Sequence, residues 1–302
     1  MKKTFYTAAF LLLTALLLIY PQECLNFALN GLNLWFQKMV PTLLPFMILS
    51  GMMIRMNLTD PLIFVFKPVL KPLFQLKSTM LYVIAVGFLC GFPMGARVTA
   101  DLYERRQINQ HEATYLLAFT NNIGPIYFIS FALPLLGFRL NAILLCGMYG
   151  IPLGYGLLLR YTFYRRALAE GVKASSRKVK PANMLKALDD SVAAGLEGIT
   201  KLGGYMILFN LINIIPYLLL SSKQIALGTV SGILEITGGL KELSDSIPII
   251  SLILLTFGGF SCFAQTYSLI AKTDLSIRTY IYHKMILTLL ASLYYIYFFY
   301  TP

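Results

Sequence analysis

Residues 81–97 read LYVIAVGFLCGFPMGAR, an apolar run cut in its middle by Gly91, Pro93 and Gly95 and closed by Arg97. Asp101, Glu104, Arg105 and Arg106 follow at once. A continuous membrane helix needs about 20 apolar residues at helical rise, and glycine and proline interrupt it. If the segment crossed completely, Arg105 and Arg106 would lie on the side opposite Lys67, Lys71 and Lys77. If it folds back at Gly91-Phe92-Pro93, all five cations share one face. The positive-inside rule therefore favours a re-entrant hairpin. The competing reading is that glycine and proline only kink an ordinary span.

A second interrupted segment occupies residues 247–273, broken at Gly258-Gly259-Phe260-Ser261. Treated as a second hairpin, it leaves few cations beside its ends and keeps both termini and the basic linker cytoplasmic. Continuous spans are expected near 5–20, 40–56, 112–134, 138–160, 202–220 and 278–300. Short amphipathic stretches near 61–76 and 225–241 precede the interrupted segments. The linker 161–187 carries Arg165, Arg166, Lys173, Arg177, Lys178, Lys180 and Lys186.

Composition sets the class. Of 302 residues, 57% are hydrophobic and 13% are charged, against about a quarter charged in soluble domains. The mean hydropathy of +0.70 agrees. These values point to one membrane-embedded, all-α domain. The net charge of +12 is explained by cations collecting in cytoplasmic loops, where anionic lipid headgroups are natural partners. No basic groove with interleaved aromatics suggests nucleic acid. Cys24, Cys90, Cys146 and Cys262 are far apart and suggest neither disulfides nor a metal site. After Met1-Lys2-Lys3, the first apolar run lacks a small-x-small cleavage pattern, so an uncleaved span is expected.

The halves resemble each other. Phe46-Met47-Ile48-Leu49 recurs as Tyr205-Met206-Ile207-Leu208, Cys90-Gly91-Phe92 as Gly258-Gly259-Phe260, and Ala96 aligns with Ala264. With the extra span 138–160 between them, the halves enter from opposite sides, as in many inverted-repeat transporters. The expected organisation is a first span over 1–26, a first repeat over 27–136, an extra span and linker over 137–187, and a second repeat over 188–302.

Candidate solute-binding residues follow. Gly91, Pro93 and Gly95 permit a tight turn whose far arm starts as a helix N-terminus at mid-membrane. Gly258, Gly259 and Ser261 offer the same from the other side, and two such ends suit an anionic group. Asn121, Asn122 and Gly124, followed by Pro125, place costly amides in an apolar span. They read as solute or ion ligands, or as interhelical hydrogen-bonding residues. Arg97 either pairs with Asp101 at i,i+4 or offsets solute charge. Gln265 is the polar candidate after the second tip, and Glu235 reads as interfacial and solvated or as a binding residue. His111 and His283 lack metal-ligand companions, and no Walker A, HExxH or GxSxG pattern occurs. The sequence suggests neither an enzyme nor a bound cofactor, and leaves the coupling ion open.

The strings Gly91–Arg97, Leu102–Glu104, Phe119–Pro125, Leu234–Gly238 and Thr256–Ser261, in order over residues 27–295, resemble the sporulation integral membrane proteins of the YlbJ and SpoVV type. These belong to the nucleoside-recognition (Gate) superfamily, which is similar to concentrative nucleoside transporters. The resemblance implies an all-α polytopic protein with inverted-topology repeats and two re-entrant hairpins. It further implies dipicolinate transport across the outer forespore membrane during sporulation. A nucleoside carrier is the alternative within transport. A non-transporting assembly protein of the spore envelope is the alternative outside it. A second copy of the chain is a further candidate partner.

Overall fold

A computed structural model of the chain describes residues 2–168, 183–243 and 247–300. Most of the basic linker lies outside the described residues. Every regular element among the described residues is helical. Four segments are long and apolar enough to cross a membrane: Pro21–Arg55, Ala142–Tyr161, Met184–Leu220 and Pro248–Ile270. The chain is therefore an integral, polytopic helical membrane protein. A 24-residue helix, Ile277–Tyr300, closes the fold. The first apolar helix, Tyr6–Ile19, is shorter than the criterion for a span.

The interrupted segment at 81–97 folds back as expected. Helices Ser78–Cys90 and Met94–Glu104 flank a turn at Gly91. Gly87 and Gly95 face each other across the arms, with a Cβ on Gly87 falling 3.3 Å from the Gly95 Cα. The short amphipathic helix Lys67–Phe74 meets the first arm at a 113° bend. Lys77, at the foot of that arm, is no free interfacial cation. Its Nζ donates to the buried Glu112 Oε2 at 2.7 Å and to the Gln107 carbonyl at 2.9 Å. Glu112 also closes a capping box with Asn109 on the next helix, so hairpin and helix start from one fixed corner.

Three expectations are corrected. The span 112–134 is not continuous: helix Gln110–Leu117 ends, residues 121–124 are non-helical, and a helix resumes over Pro125–Leu135. Pro125 lacks an N–H and Asn side chains compete with the backbone, so the i→i−4 ladder fails there. The segment 247–273 is not a hairpin. It is a single broken span in which Gly258, at φ +85°, ends helix Pro248–Phe257 and helix Gly259–Ile270 begins at once.

The second hairpin is instead the stretch expected to be amphipathic, with arms Gln224–Leu234 and Ile236–Leu243. Gly232 faces Gly239 and Gly228 faces Leu243, a register that turns at Glu235-Ile236. Small residues at these crossings let the two backbones touch, as in other membrane helix pairs. Gly239→Val is expected to cost about 3 kcal/mol or more of stability, because a Cβ there falls 2.2 Å from the Gly232 backbone nitrogen. A detergent melting curve checks this, and an unchanged midpoint would refute the packing.

The element order long helix, hairpin, broken helix, closing helix occurs twice, which draws Ala142–Tyr161, expected as an extra span between the repeats, into the first set. The members are Pro21–Arg55, 78–104, 110–135 and Ala142–Tyr161, then Met184–Leu220, 224–243, Pro248–Ile270 and Ile277–Tyr300. In this order the first hairpin corresponds to 224–243, so the alignment of Cys90-Gly91-Phe92 with Gly258-Gly259-Phe260 joins elements of different kinds. The two long helices pack together. Gly31 lies against the Met206 carbonyl, and Trp35 Nε1 donates to the Ile199 carbonyl at 2.7 Å beside Gly203.

Candidate functional site between the hairpin tips

Each hairpin tip rests on the break of the span that follows it. A Cβ on Gly91 would fall 2.1 Å from the Gly124 nitrogen, and one on Gly124 would fall 2.6 Å from the Cys90 carbonyl. The Phe92 N–H donates to the Asn122 carbonyl at 2.6 Å. In the second half, a Cβ on Gly259 would meet the carbonyl oxygens of Gly232, Ile233 and Leu234 at 3.2–3.4 Å. Phe92 joins the halves, because its ring lies against Gly258 and beneath Lys284.

Between the tips lies a cavity of about 410 Å³. Cys90, Phe92, Ile123 and Gly124 line it from the first hairpin and break, and Glu235, Thr237, Cys262 and Gln265 from the second half. Ile126, Tyr127 and Phe131 form one wall, while Lys38, Thr42 and Phe46 of the first long helix form another. A mostly apolar pocket with a few convergent polar groups is the usual form of a small-molecule site.

Among the residues expected to bind solute, Gly124 and Gln265 line this cavity. The Gln265 Nε2 donates to Ser261 Oγ at 3.0 Å, so Ser261 orients that amide from behind. Gly91 and Pro93 shape the tip. Gly95 packs on the Thr120 carbonyl, and its neighbour's amide, Ala96 N–H, donates to Asn121 Oδ1 at 3.4 Å. Gly258 and Gly259 form the second break.

Arg97 points elsewhere: its Nη2 donates to the Ala194 carbonyl at 2.8 Å, and its Nε pairs with Asp101 at 3.4 Å. Both partners lie outside the cavity, so the modest reading of Arg97 as an ion-pairing residue has geometric support. Asn121 and Asn122 lie behind the lining. Asn121 Nδ2 donates to Thr266 Oγ1 at 2.9 Å and to Tyr280 Oη at 3.2 Å, while Asn122 Nδ2 donates to the Phe119 carbonyl at 2.6 Å. Their amides hold the break together.

Lys284 was not singled out from the sequence, and Glu235 does not stand where its solvated reading put it. Glu235 is 3% exposed at the second tip, not solvated at an interface. Its Oε2 accepts from the Thr237 hydroxyl and, at 3.0 Å, from the Gly238 N–H. The side chain therefore caps the N-terminus of its own second arm, which gives Oε2 its hydrogen-bond partners inside the protein. Lys284 is 1% exposed, and its Nζ donates to the Asn121 carbonyl at 3.0 Å and Asn122 Oδ1 at 3.1 Å. A lysine eight residues into a membrane helix was the available signal, since intramembrane charges mark functional positions. Tyr127 also lines the cavity, and its hydroxyl has no hydrogen-bond partner among the described residues.

No family model matches the chain, and no solved structure matches it significantly. Among curated proteins, it is similar to the sporulation integral membrane protein YlbJ of Bacillus subtilis (strain 168). Identity is 28% over 320 aligned residues, covering 92% of this chain and 78% of the relative. The alignment covers both hairpins, both breaks and the cavity between them, and on that extent the chain is a homologue of the sporulation membrane protein YlbJ.

Proposed function

We propose that this chain is a secondary-type transporter of a small, flat solute, with dipicolinate as the first candidate. The cavity between two hairpin tips carries this reading. Its volume suits a single-ring solute, and its aromatic walls suit a planar one. Lys38, Gln265 and the unpartnered Tyr127 hydroxyl supply donors for carboxylate oxygens. The repeated element order supports an inverted-topology arrangement with re-entrant hairpins, like that of concentrative nucleoside transporters. Alternating access then proceeds by rocking one half against the other. Localisation in the bacterial cytoplasmic or outer forespore membrane completes the proposal.

The helix ends contribute less to anion binding than their position suggests. One is capped by Glu235, and the N-terminus at Gly259 faces three carbonyl oxygens. The Glu235 carboxylate favours a second reading, a nucleoside whose hydroxyls donate to it. Proteoliposomes carrying the chain are expected to accumulate labelled dipicolinate, with uridine competing poorly. Stronger competition by uridine selects the second reading. Uptake of neither solute above empty liposomes refutes transport.

The alternative of a non-transporting envelope protein makes a different prediction about access. In a chain whose four native cysteines are replaced by alanine, Ile126→Cys is expected to react with a water-soluble thiol reagent. Solute should slow that reaction at least about tenfold by filling the pocket. A thiol that reacts no faster than a buried control, with or without solute, supports the envelope role.

A further inference from the structure

The Lys284 ammonium occupies an unusual position. The first broken span exposes backbone carbonyls deep in the membrane, and such unwound segments are where transporters commonly coordinate alkali cations. Here the Asn121 carbonyl and Asn122 Oδ1 converge on Nζ at 3.0 and 3.1 Å, and the face of the Phe92 ring lies 4.7 Å away. Two oxygen acceptors and a π-face all present negative charge to one point. None of the ion pairs among the described residues includes Lys284. The groups facing it from neighbouring elements are amide oxygens, an aromatic ring and the nearby Cys262, with Tyr280 one step further through Asn121.

The surroundings are those of a cation site, filled by a side chain. Asn122 is held by its own amide to the Phe119 carbonyl, and Asn121 by Thr266 and Tyr280, so both oxygens are preset toward Nζ. The same Asn122 whose side chain accepts from Lys284 gives its backbone carbonyl to the Phe92 N–H at the hairpin tip. The Lys284 Nζ therefore bridges the oxygens of the break and, through Asn122, fixes the tip above it.

We infer that Lys284 is a tethered cation standing at an alkali-ion position of the first break, so that this site takes up no sodium from solution. A cation that cannot leave transmits no ion gradient, and the hairpin tip is latched in every state in which Lys284 stays bound. As a statement about coupling this rests on the transport reading of the cavity. As a statement about cation binding it does not.

The experiment is a thermal melt of the purified full-length chain, titrated with sodium, potassium or lithium chloride against choline chloride at constant ionic strength. The unsubstituted chain is expected to show the same midpoint in every salt. Lys284→Ala is expected to melt lower in choline and to be restored in part, saturably, by at least one alkali cation, because binding to the folded state raises its stability. Lys284→Met, which keeps most of the side-chain volume, guards against collapse of the alanine variant and is expected to show the lower midpoint without full rescue.

A saturable sodium response of the unsubstituted chain overturns the inference, and so does a folded Lys284→Ala variant indifferent to all three alkali ions. Uptake is not read here. A protein that moves no solute but shows these melts refutes the transport proposal alone, and one that transports without them refutes the tethered cation alone.

Discussion

Glu235→Gln is expected to lower solute uptake between about tenfold and a hundredfold while leaving the amount of protein in the membrane nearly unchanged. The carboxylate accepts hydrogen bonds from the Thr237 hydroxyl and the Gly238 N–H and lines the cavity beside Gln265. A charge-assisted hydrogen bond is worth about 1.5–3 kcal/mol, and its loss from the bound or occluded state scales the rate accordingly. The amide keeps one acceptor oxygen for the helix cap, so the hairpin should still form. Transport in proteoliposomes and quantitative immunoblotting together check this. Uptake within twofold of the unsubstituted chain would remove Glu235 from the mechanism. An equal loss of protein would make it a folding residue.

Gly91→Ala is expected to have the larger effect on folding, leaving little protein that melts cooperatively. Gly91 stands at φ +75° and ψ −161°, a backbone region open essentially to glycine alone, and this costs another residue about 1–3 kcal/mol. The added Cβ would also fall 2.1 Å from the Gly124 nitrogen and 2.3 Å from the Gly124 Cα. Both are backbone atoms held by the break, so no rotamer change relieves the contact. The sum consumes a large part of a typical folding free energy of about 5–15 kcal/mol. Size-exclusion profiles and melting curves in detergent read the outcome. A monodisperse variant within a few degrees of the unsubstituted midpoint would show that tip and break are not in contact.

Asn121→Ala and Asn122→Ala, which as solute ligands would abolish uptake without altering abundance, are expected from the structure to lower stability as well. Asn121 has partners on two other helices, and Asn122 holds Lys284. Each truncation strands a buried polar group, at about 1–3 kcal/mol. A loss of uptake at fully preserved stability would restore the direct-ligand reading.

Hydropathy and charge placement were enough to establish a helical membrane protein and the first hairpin. Those signals are local: an apolar run of set length, a Gly-Phe-Pro-Met-Gly interruption, and cations that must share a face. The motifs at 119–125 and 234–238 fall at the first break and at the second hairpin tip, and an Asn pair or a Glu is costly in lipid wherever it falls. Their elements were misjudged because periodicity does not distinguish a broken helix from a straight one, or a half-length hairpin from an interfacial helix. Both alternatives are short, apolar and amphipathic.

Hairpin or broken span was decided by contact. Gly232 against Gly239 pairs the two arms of 224–243, whereas Gly259 packs on that hairpin's carbonyls and its own segment runs on. The same holds for chemistry. The sequence determined by itself that charges and amides enter the membrane, since composition alone makes them expensive there. Only the tertiary structure decided that Asn121 and Asn122 face Lys284, that Glu235 and Gln265 face the cavity, and that Arg97 turns to a neighbouring helix. A buried polar group is defined by the partner that satisfies it, and those partners lie up to 163 residues away in the chain.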